Sequence, residues 1–302
     1  MRVGIIGLGD IAKKAYLPVL SQKEEIELVL CTRNTEELRR LGDKYRILEK
    51  VESIDGLIAK KVDAVFISAA TEAHAEIAEK LLDQGIHMYI DKPISLNFHE
   101  TKRIVELARE MGQMAMVGFN RRFIPTINEL KEHGKPNLLL MQKNRFNESD
   151  DPRRFVVEDF VHVVDTLRFL MDTEVKDVKV DFQRDGELLN QIVVQLIGEG
   201  CQALGIMNRN GGVTEELIEY HAGHHKYVVD NLTDTTHYHD KEVNISTYGG
   251  WEPTLSKRGF FQIVDHFIDC VKNDQTPDPS IEDSLITHEI CEEIVQQIEQ
   301  RS

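Results

Sequence analysis

The chain has 302 residues, 41% hydrophobic and 29% charged, with a formal net charge of −16. That mixture can bury a sizeable core, is too apolar for a disordered chain and suits two ordinary domains. The acidic balance, relieved only by short basic pairs such as Lys13-Lys14 and Arg121-Arg122, repels phosphate backbones and argues against nucleic-acid binding.

Val3 to Ile6 reads as a short buried strand stopped by Gly7, and the helix after it carries Ile11, Ala15 and Val19 on one face. Ile26 to Cys31 is a second strand and Thr35 to Tyr45 a helix. Ala64 to Ile67 is a third strand, followed by a helix from Ala73 to Gln84 with Gly85 as its stop. His87 to Ile90, a helix from Asn97 to Met111 ended by Gly112, and Met114 to Val117 complete the series. Strict alternation of short apolar strands with helices predicts a parallel sheet covered on both faces, with right-handed crossovers.

After Gly118 the pattern changes. A helix from Phe123 to Glu132, an apolar run at Leu138 to Met141 and a helix from Glu158 to Met171 lead into a succession of strands. These run from Val175 to Phe182, Gln191 to Ile197, Cys201 to Met207, Glu215 to His221 and Tyr227 to Val229, with turns at Asp185-Gly186 and Gly211-Gly212. Helices from Leu255 to Val271 and Ile281 to Ile298 close the chain. The expected fold is α/β: a doubly wound parallel sheet of the Rossmann type in residues 1–119, and an α+β domain with a mainly antiparallel sheet in residues 120–302. No stretch approaches the ~18 uncharged residues of a membrane span, so no membrane association is expected. Cys31, Cys201, Cys270 and Cys291 show no Cys-x-x-Cys spacing and read as reduced core thiols of a cytoplasmic protein.

Gly7-Leu8-Gly9-Asp10-Ile11-Ala12 fits G-x-G-x-x-G/A and joins a strand to a helix, the context that gives this motif meaning. Gly7 permits the tight turn, Gly9 lets the backbone approach a pyrophosphate, and the helix N-terminus offers free N–H groups to it. The second strand ends in Cys31-Thr32-Arg33-Asn34 without the acidic residue that accepts the ribose 2′-OH of NAD. Thr32 and Asn34 can donate hydrogen bonds and Arg33 can pair with a 2′-phosphate, with Arg39 and Arg40 one turn further on. That chemistry points to NADP(H), with NAD also accommodated.

Asp91-Lys92-Pro93 directly follows the fourth strand. Here the sequence resembles the Gfo/Idh/MocA family of NAD(P)-dependent oxidoreductases, and within it the MviM-like branch. The resemblance continues through Thr71 to His74, Gly118-Phe119-Asn120-Arg121-Arg122-Phe123, Asp159 to Asp165 and the C-terminal helices. It implies an open-faced sheet in the second domain that supports a homodimer or larger homo-oligomer, and an active site between the domains. It also implies that Ala70, Thr71 and His74 flank the nicotinamide and its ribose, and that Asp91, Lys92, Pro93 and Asn120 join the cofactor-binding set. Lys92 takes the position of the family's catalytic lysine, which polarises the substrate oxygen. His162 takes that of its acid/base histidine.

The family's aspartate four residues before this histidine is Glu158 here, and its glycine two before is Phe160. Either Glu158 or Asp159 reaches the histidine's helix face and can orient the ring. Asp165 can pair with Arg168 one turn on, and Arg122 reads equally as a cleft residue or a solvated cation. His221, His224, His225, His237 and His239 fall in one stretch. His237 and His239 share a strand face, but no metal signature accompanies them, so an exposed hairpin is expected and no metal.

The leading functional reading is an NADP(H)-dependent oxidoreductase acting on a small hydroxy or keto compound, a sugar or polyol by resemblance. A non-catalytic dinucleotide-binding sensor on the same scaffold is the alternative. A reductase of a larger conjugated substrate, similar to biliverdin reductase, is a third.

Overall fold

The computed structural model describes residues 1–301. The chain divides into two compact units, Met1–Phe119 with Phe260–Leu285, and Asn120–Gly259 with Ile286–Ser302.

The first unit is built on six strands: β1 (Arg2–Ile6), β2 (Glu27–Cys31), β3 (Glu49–Val51), β4 (Ala64–Ile67), β5 (His87–Ile90) and β6 (Ala115–Val117). They form one sheet in the order β3-β2-β1-β4-β5-β6, and every pairing is parallel. This is the Rossmann order, whose switch point lies between β1 and β4. Five of the six strands follow the sequence expectation. β3 and the helix after it (Ile54–Ala59) escape the periodicity argument, because β3 is only Glu-Lys-Val and none of its residues is buried.

The helix Phe260–Asn273 belongs to the first unit, far along the chain from the rest of it. Its aromatic face explains why. Phe267 meets Phe66 and Tyr89 edge-on, at 5.3 and 5.6 Å, while Phe260 meets Tyr16 at 5.9 Å. Phe66 and Tyr89 themselves stack at 4.7 Å. Such rings bury large apolar areas and prefer these tilted arrangements. The single helix expected from Leu255 to Val271 is broken at Gly259 (φ 74°), where a Cβ would lie 2.5 Å from the carbonyl oxygen of Asn120.

The second unit carries eight strands: β7 (Leu138–Asn144), β8 (Val175–Asp185), β9 (Leu188–Gly198), β10 (Gln202–Asn208), β11 (Glu215–Ala222), β12 (His225–Asp230), β13 (Asp234–His239) and β14 (Glu242–Ser246). Their order is β14-β13-β12-β11-β7-β10-β9-β8, antiparallel except for the β7–β10 pair. The helix Val161–Met171 lies against β7 and β10. Gly205 on β10 permits the close approach: a Cβ there would stand 2.9 Å from Val163 and 3.1 Å from Phe160.

Asp165 is held by both Nε and Nη2 of Arg122, at 2.9 and 2.6 Å, and by the Thr287 hydroxyl at 2.9 Å, while Arg168 donates to Thr287. Arg122 is therefore a buried structural cation rather than a solvated one. Among the described residues no helix is long and apolar enough to cross a membrane. The four cysteines are free and buried, and burial pushes the Cys31 and Cys201 thiols up to about 11.

Candidate active site

The glycine loop lies at the C-terminal end of β1. Gly7 has φ 87°, and a Cβ there would stand 2.3 Å from the Ala69 nitrogen, so only glycine fits. The Ser68 hydroxyl donates to the Gly7 carbonyl at 2.7 Å, locking the β1 and β4 loops together. Gly9 is different. A Cβ there would meet nothing nearer than the Ser68 oxygen at 4.0 Å, so this position faces open space. The helix that follows starts at residue 10 and includes a π turn at Ala12–Tyr16.

A cavity of about 900 Å³ opens over this loop. Gly7, Gly9, Asp10, Ile11, Thr32, Arg33 and Ala70 of the expected cofactor set line it. Its volume, its cradle of small residues and its helix start fit a dinucleotide. Sequence reasoning missed Lys14, which pairs with Asp10 at 2.7 Å, and the segment Glu52 to Asp55 beyond β3, all of which line the same cavity. The undetected β3 concealed that wall.

Two of the side chains that follow β2 already have protein partners. The Asn34 side-chain oxygen accepts from the Glu37 N–H at 3.0 Å as the helix cap. Arg40 is drawn to Glu37 at 2.6 Å. Arg33 is exposed at the cavity wall.

The Lys92–Pro93 peptide bond is cis, in the loop that follows β5. His74 is buried, with Nδ1 2.8 Å from the Pro93 carbonyl and Nε2 3.1 Å from the Ala69 carbonyl. It thus clamps the lysine-bearing turn to the loop after β4, where Thr71 begins a short 3-10 turn. Asp91 accepts a 2.5 Å hydrogen bond from the phenol of Tyr16. Burial, and next the charge of Asp91, hold the Tyr16 phenol well above its usual range, so the proton stays on the tyrosine.

In the second unit, His162 is buried in the first turn of the helix Val161–Met171. The two carboxylates proposed to orient it both meet cations. Glu158 pairs with Arg154 at 3.1 Å. Asp159, in the π-helical segment Phe155–Phe160, takes contacts from Lys143, Arg145 and Arg209. Asn120 donates to the Arg258 carbonyl at 2.9 Å, and Arg121 grips Glu216 through two bonds of 2.8 and 2.6 Å. Burial pushes the Glu216 carboxyl up, but Arg121, with Lys143 and Arg258, outweighs it and holds the carboxyl at about 2.

The histidines of β12 and β13 form a ladder instead of a metal centre. His225 and His239 stack at 4.1 Å, Tyr227 and His237 at 4.3 Å, and His133 and Tyr227 at 4.1 Å. His225 Nδ1 lies 2.8 Å from His237 Nε2. Among the described residues no group of three or more His, Cys, Asp or Glu side chains is placed to hold a metal.

A Rossmann sheet with a glycine-rich phosphate loop, and a lysine on the loop after a parallel strand, define a dinucleotide-dependent oxidoreductase class. The chain belongs to the Gfo/Idh/MocA oxidoreductase family. Residues 1–119 match the model of that family's NAD-binding Rossmann fold, and residues 125–240 match the YceM-like C-terminal domain. YceM of Salmonella typhimurium is 31% identical over 97% of this chain and 96% of its own. The dehydrogenase MviM of Clostridium difficile superposes with a TM-score of 0.94 at 31% identity, covering 98% of this chain and 99% of that one. The myo-inositol 2-dehydrogenase of Thermotoga maritima is 24% identical over 78% of this chain and 77% of its own.

Proposed function

We propose that the protein transfers hydride between the nicotinamide of NADP(H) and a sugar, polyol or related hydroxy or keto compound. The observation that carries this reading is the loop after β5. Lys92 stands at the C-terminal end of a parallel strand, where ligands of such sheets bind, and His74 pins its turn to the loop after β4. The inositol-specific relative supports the substrate class.

Bound in the β1 cavity, the nicotinamide would supply or accept the hydride. Lys92 donates a hydrogen bond to the substrate oxygen and stabilises negative charge that develops there. His162 takes the hydroxyl proton during oxidation and returns it during reduction. Arg33 pairs with the 2′-phosphate, the feature that favours NADP(H) over NAD(H). The half-exposed face of the second sheet, where Leu138, Leu140, Leu204 and Ile206 stand unburied, supports a homodimer.

The sensor reading draws on one observation, the commitment of Asp159 to three cations. A substrate screen that follows NADPH absorbance separates the two. Lys92→Ala and His162→Ala should each lower turnover by ~10²–10⁴-fold with NADP(H) affinity nearly unchanged. Full turnover in both variants would remove the mechanism.

A further inference from the structure

The cavity over the glycine loop has a second end that the glycine motif does not explain. Its walls follow the strand order: the glycine loop comes after β1, Arg33 after β2, and the segment from Glu52 to Asp55 after β3. The register sets Val51 beside Cys31, and the Thr32 N–H donates to the Val51 carbonyl at 3.3 Å. Glu52 is thus the first residue past the paired part of β3. Neighbouring strands lie ~5 Å apart, so this end stands roughly 10 Å from the phosphate loop, with the end of β2 between them.

Apolar surface and one uncommitted acid mark this end. Ile54, and Ile77 of the helix His74–Leu82, both line the cavity, and neither is fully buried. Half-exposed isoleucines on a cavity wall offer surface that a flat apolar ring would remove from water. Most charged groups around them are engaged. Lys80 pairs with Glu76 at 3.0 Å, and Glu76, with a smaller contribution from Asp55, holds the Lys80 ammonium above its usual value. Lys14 is taken by Asp10 at 2.7 Å. Asp55 stands in the first turn of the helix Ile54–Ala59, which Ser53 caps by accepting from the Gly56 N–H at 3.1 Å. Glu52 is exposed on the same wall, and among the described residues no hydrogen bond or ion pair engages its carboxylate.

We propose that this end of the cavity is the purine pocket of the dinucleotide, with the adenine ring covering Ile54 and Ile77 and its 6-amino group donating to the Glu52 carboxylate. The strand ends then take the parts of the nucleotide in their covalent order: phosphate at β1, ribose with its 2′ substituent at β2, base at β3. Glu52 selects a 6-amino purine, because a 6-oxo purine turns a carbonyl oxygen toward the carboxylate, two acceptors with no proton between them. The assignment rests on the dinucleotide-dependent reading above and adds its base specificity.

The test is calorimetric titration of the full chain with NADP⁺ and with its hypoxanthine analogue, in which oxygen replaces the 6-amino group. NADP⁺ should bind about tenfold or more tightly, the range of one hydrogen bond to a charged group. Glu52→Gln, whose amide both donates and accepts, should nearly equalise the two, with a thermal midpoint near the parent's because the side chain is exposed. Equal binding of the pair by the parent, or an unchanged ratio in folded Glu52→Gln, would overturn the purine assignment and leave the oxidoreductase reading standing. NAD⁺ titrated beside them checks the other role open to a carboxylate here. If Glu52→Gln alters the NADP⁺-to-NAD⁺ ratio but not the amino-to-oxo ratio, Glu52 faces the ribose and the proposal fails. If the parent binds none of the three, both readings fall. An amino preference in a protein whose Lys92→Ala and His162→Ala variants keep full turnover sustains the pocket while the mechanism above falls.

Discussion

The glycine loop after β1 and the charge cluster around Asp159 gather their polar groups by opposite means. The loop uses backbone. Gly7 bends and Gly9 leaves room, while the helix start offers N–H groups. The cluster uses side chains, gathering Lys143, Arg145 and Arg209 onto one carboxylate from as far as 50 residues away in sequence. A backbone site needs particular residues at a fixed local spacing. A side-chain site needs only that the fold bring them together.

That difference decides what could be read in the sequence. The parallel sheet was legible because its strands are continuous apolar runs between helices, and the phosphate loop because its whole motif falls within the six residues Gly7 to Ala12. β3 was not legible, since three residues of which none is buried carry no pattern. The inclusion of Phe260–Asn273 in the first unit depends on rings from β4, β5 and the first helix, which no local window contains. The Asp159 cluster left one trace. Alternation along β7 puts Lys143 on the same face as buried Leu139 and Met141, and a lysine on a core face demands a buried anion.

The sharpest way to break the comparison is at the two glycines. Gly9→Val should abolish dinucleotide binding in calorimetry while leaving the thermal midpoint near the parent's, because the added side chain enters only open space. Gly7→Ala should instead lower stability, by about 1–3 kcal/mol or more, since it places a Cβ against backbone at a left-handed φ. If the two variants behave alike, the division of labour within the loop is wrong.

Asp159→Ala tests the other region. Removing the anion takes the shared carboxylate from three cations, of which Lys143 and Arg209 are buried, and should cost about 3–5 kcal/mol in chemical denaturation. A loss under about 1 kcal/mol would mean that the cluster behaves like a solvated surface network.

Arg33→Ala asks whether the backbone site also borrows a side chain. Its exposed position on the cavity wall suits a 2′-phosphate, so NADP(H) should weaken by about tenfold and NAD(H) hardly at all. Equal weakening of both cofactors would remove Arg33 from the specificity argument.

The smallest expected effect belongs to the histidine ladder on β12 and β13. Burial, and then the neighbouring His239, His237 and His224, hold His225 below the usual imidazole value. The 2.8 Å contact between His225 Nδ1 and His237 Nε2 joins two ring nitrogens, so one must donate and the other accept. Protonating both rings would put two N–H groups face to face. The folded state therefore binds a proton on His225 less readily than the unfolded chain. The stability this contributes is fully present above about pH 6.5, and it declines as the pH falls from there through the lowered folded value. Thermal midpoints of the parent and His225→Gln should accordingly diverge at neutral pH and converge as the pH falls toward 5. A constant difference across that range would show that the ladder holds the β12–β13 hairpin by packing alone, with no contribution from its protonation state.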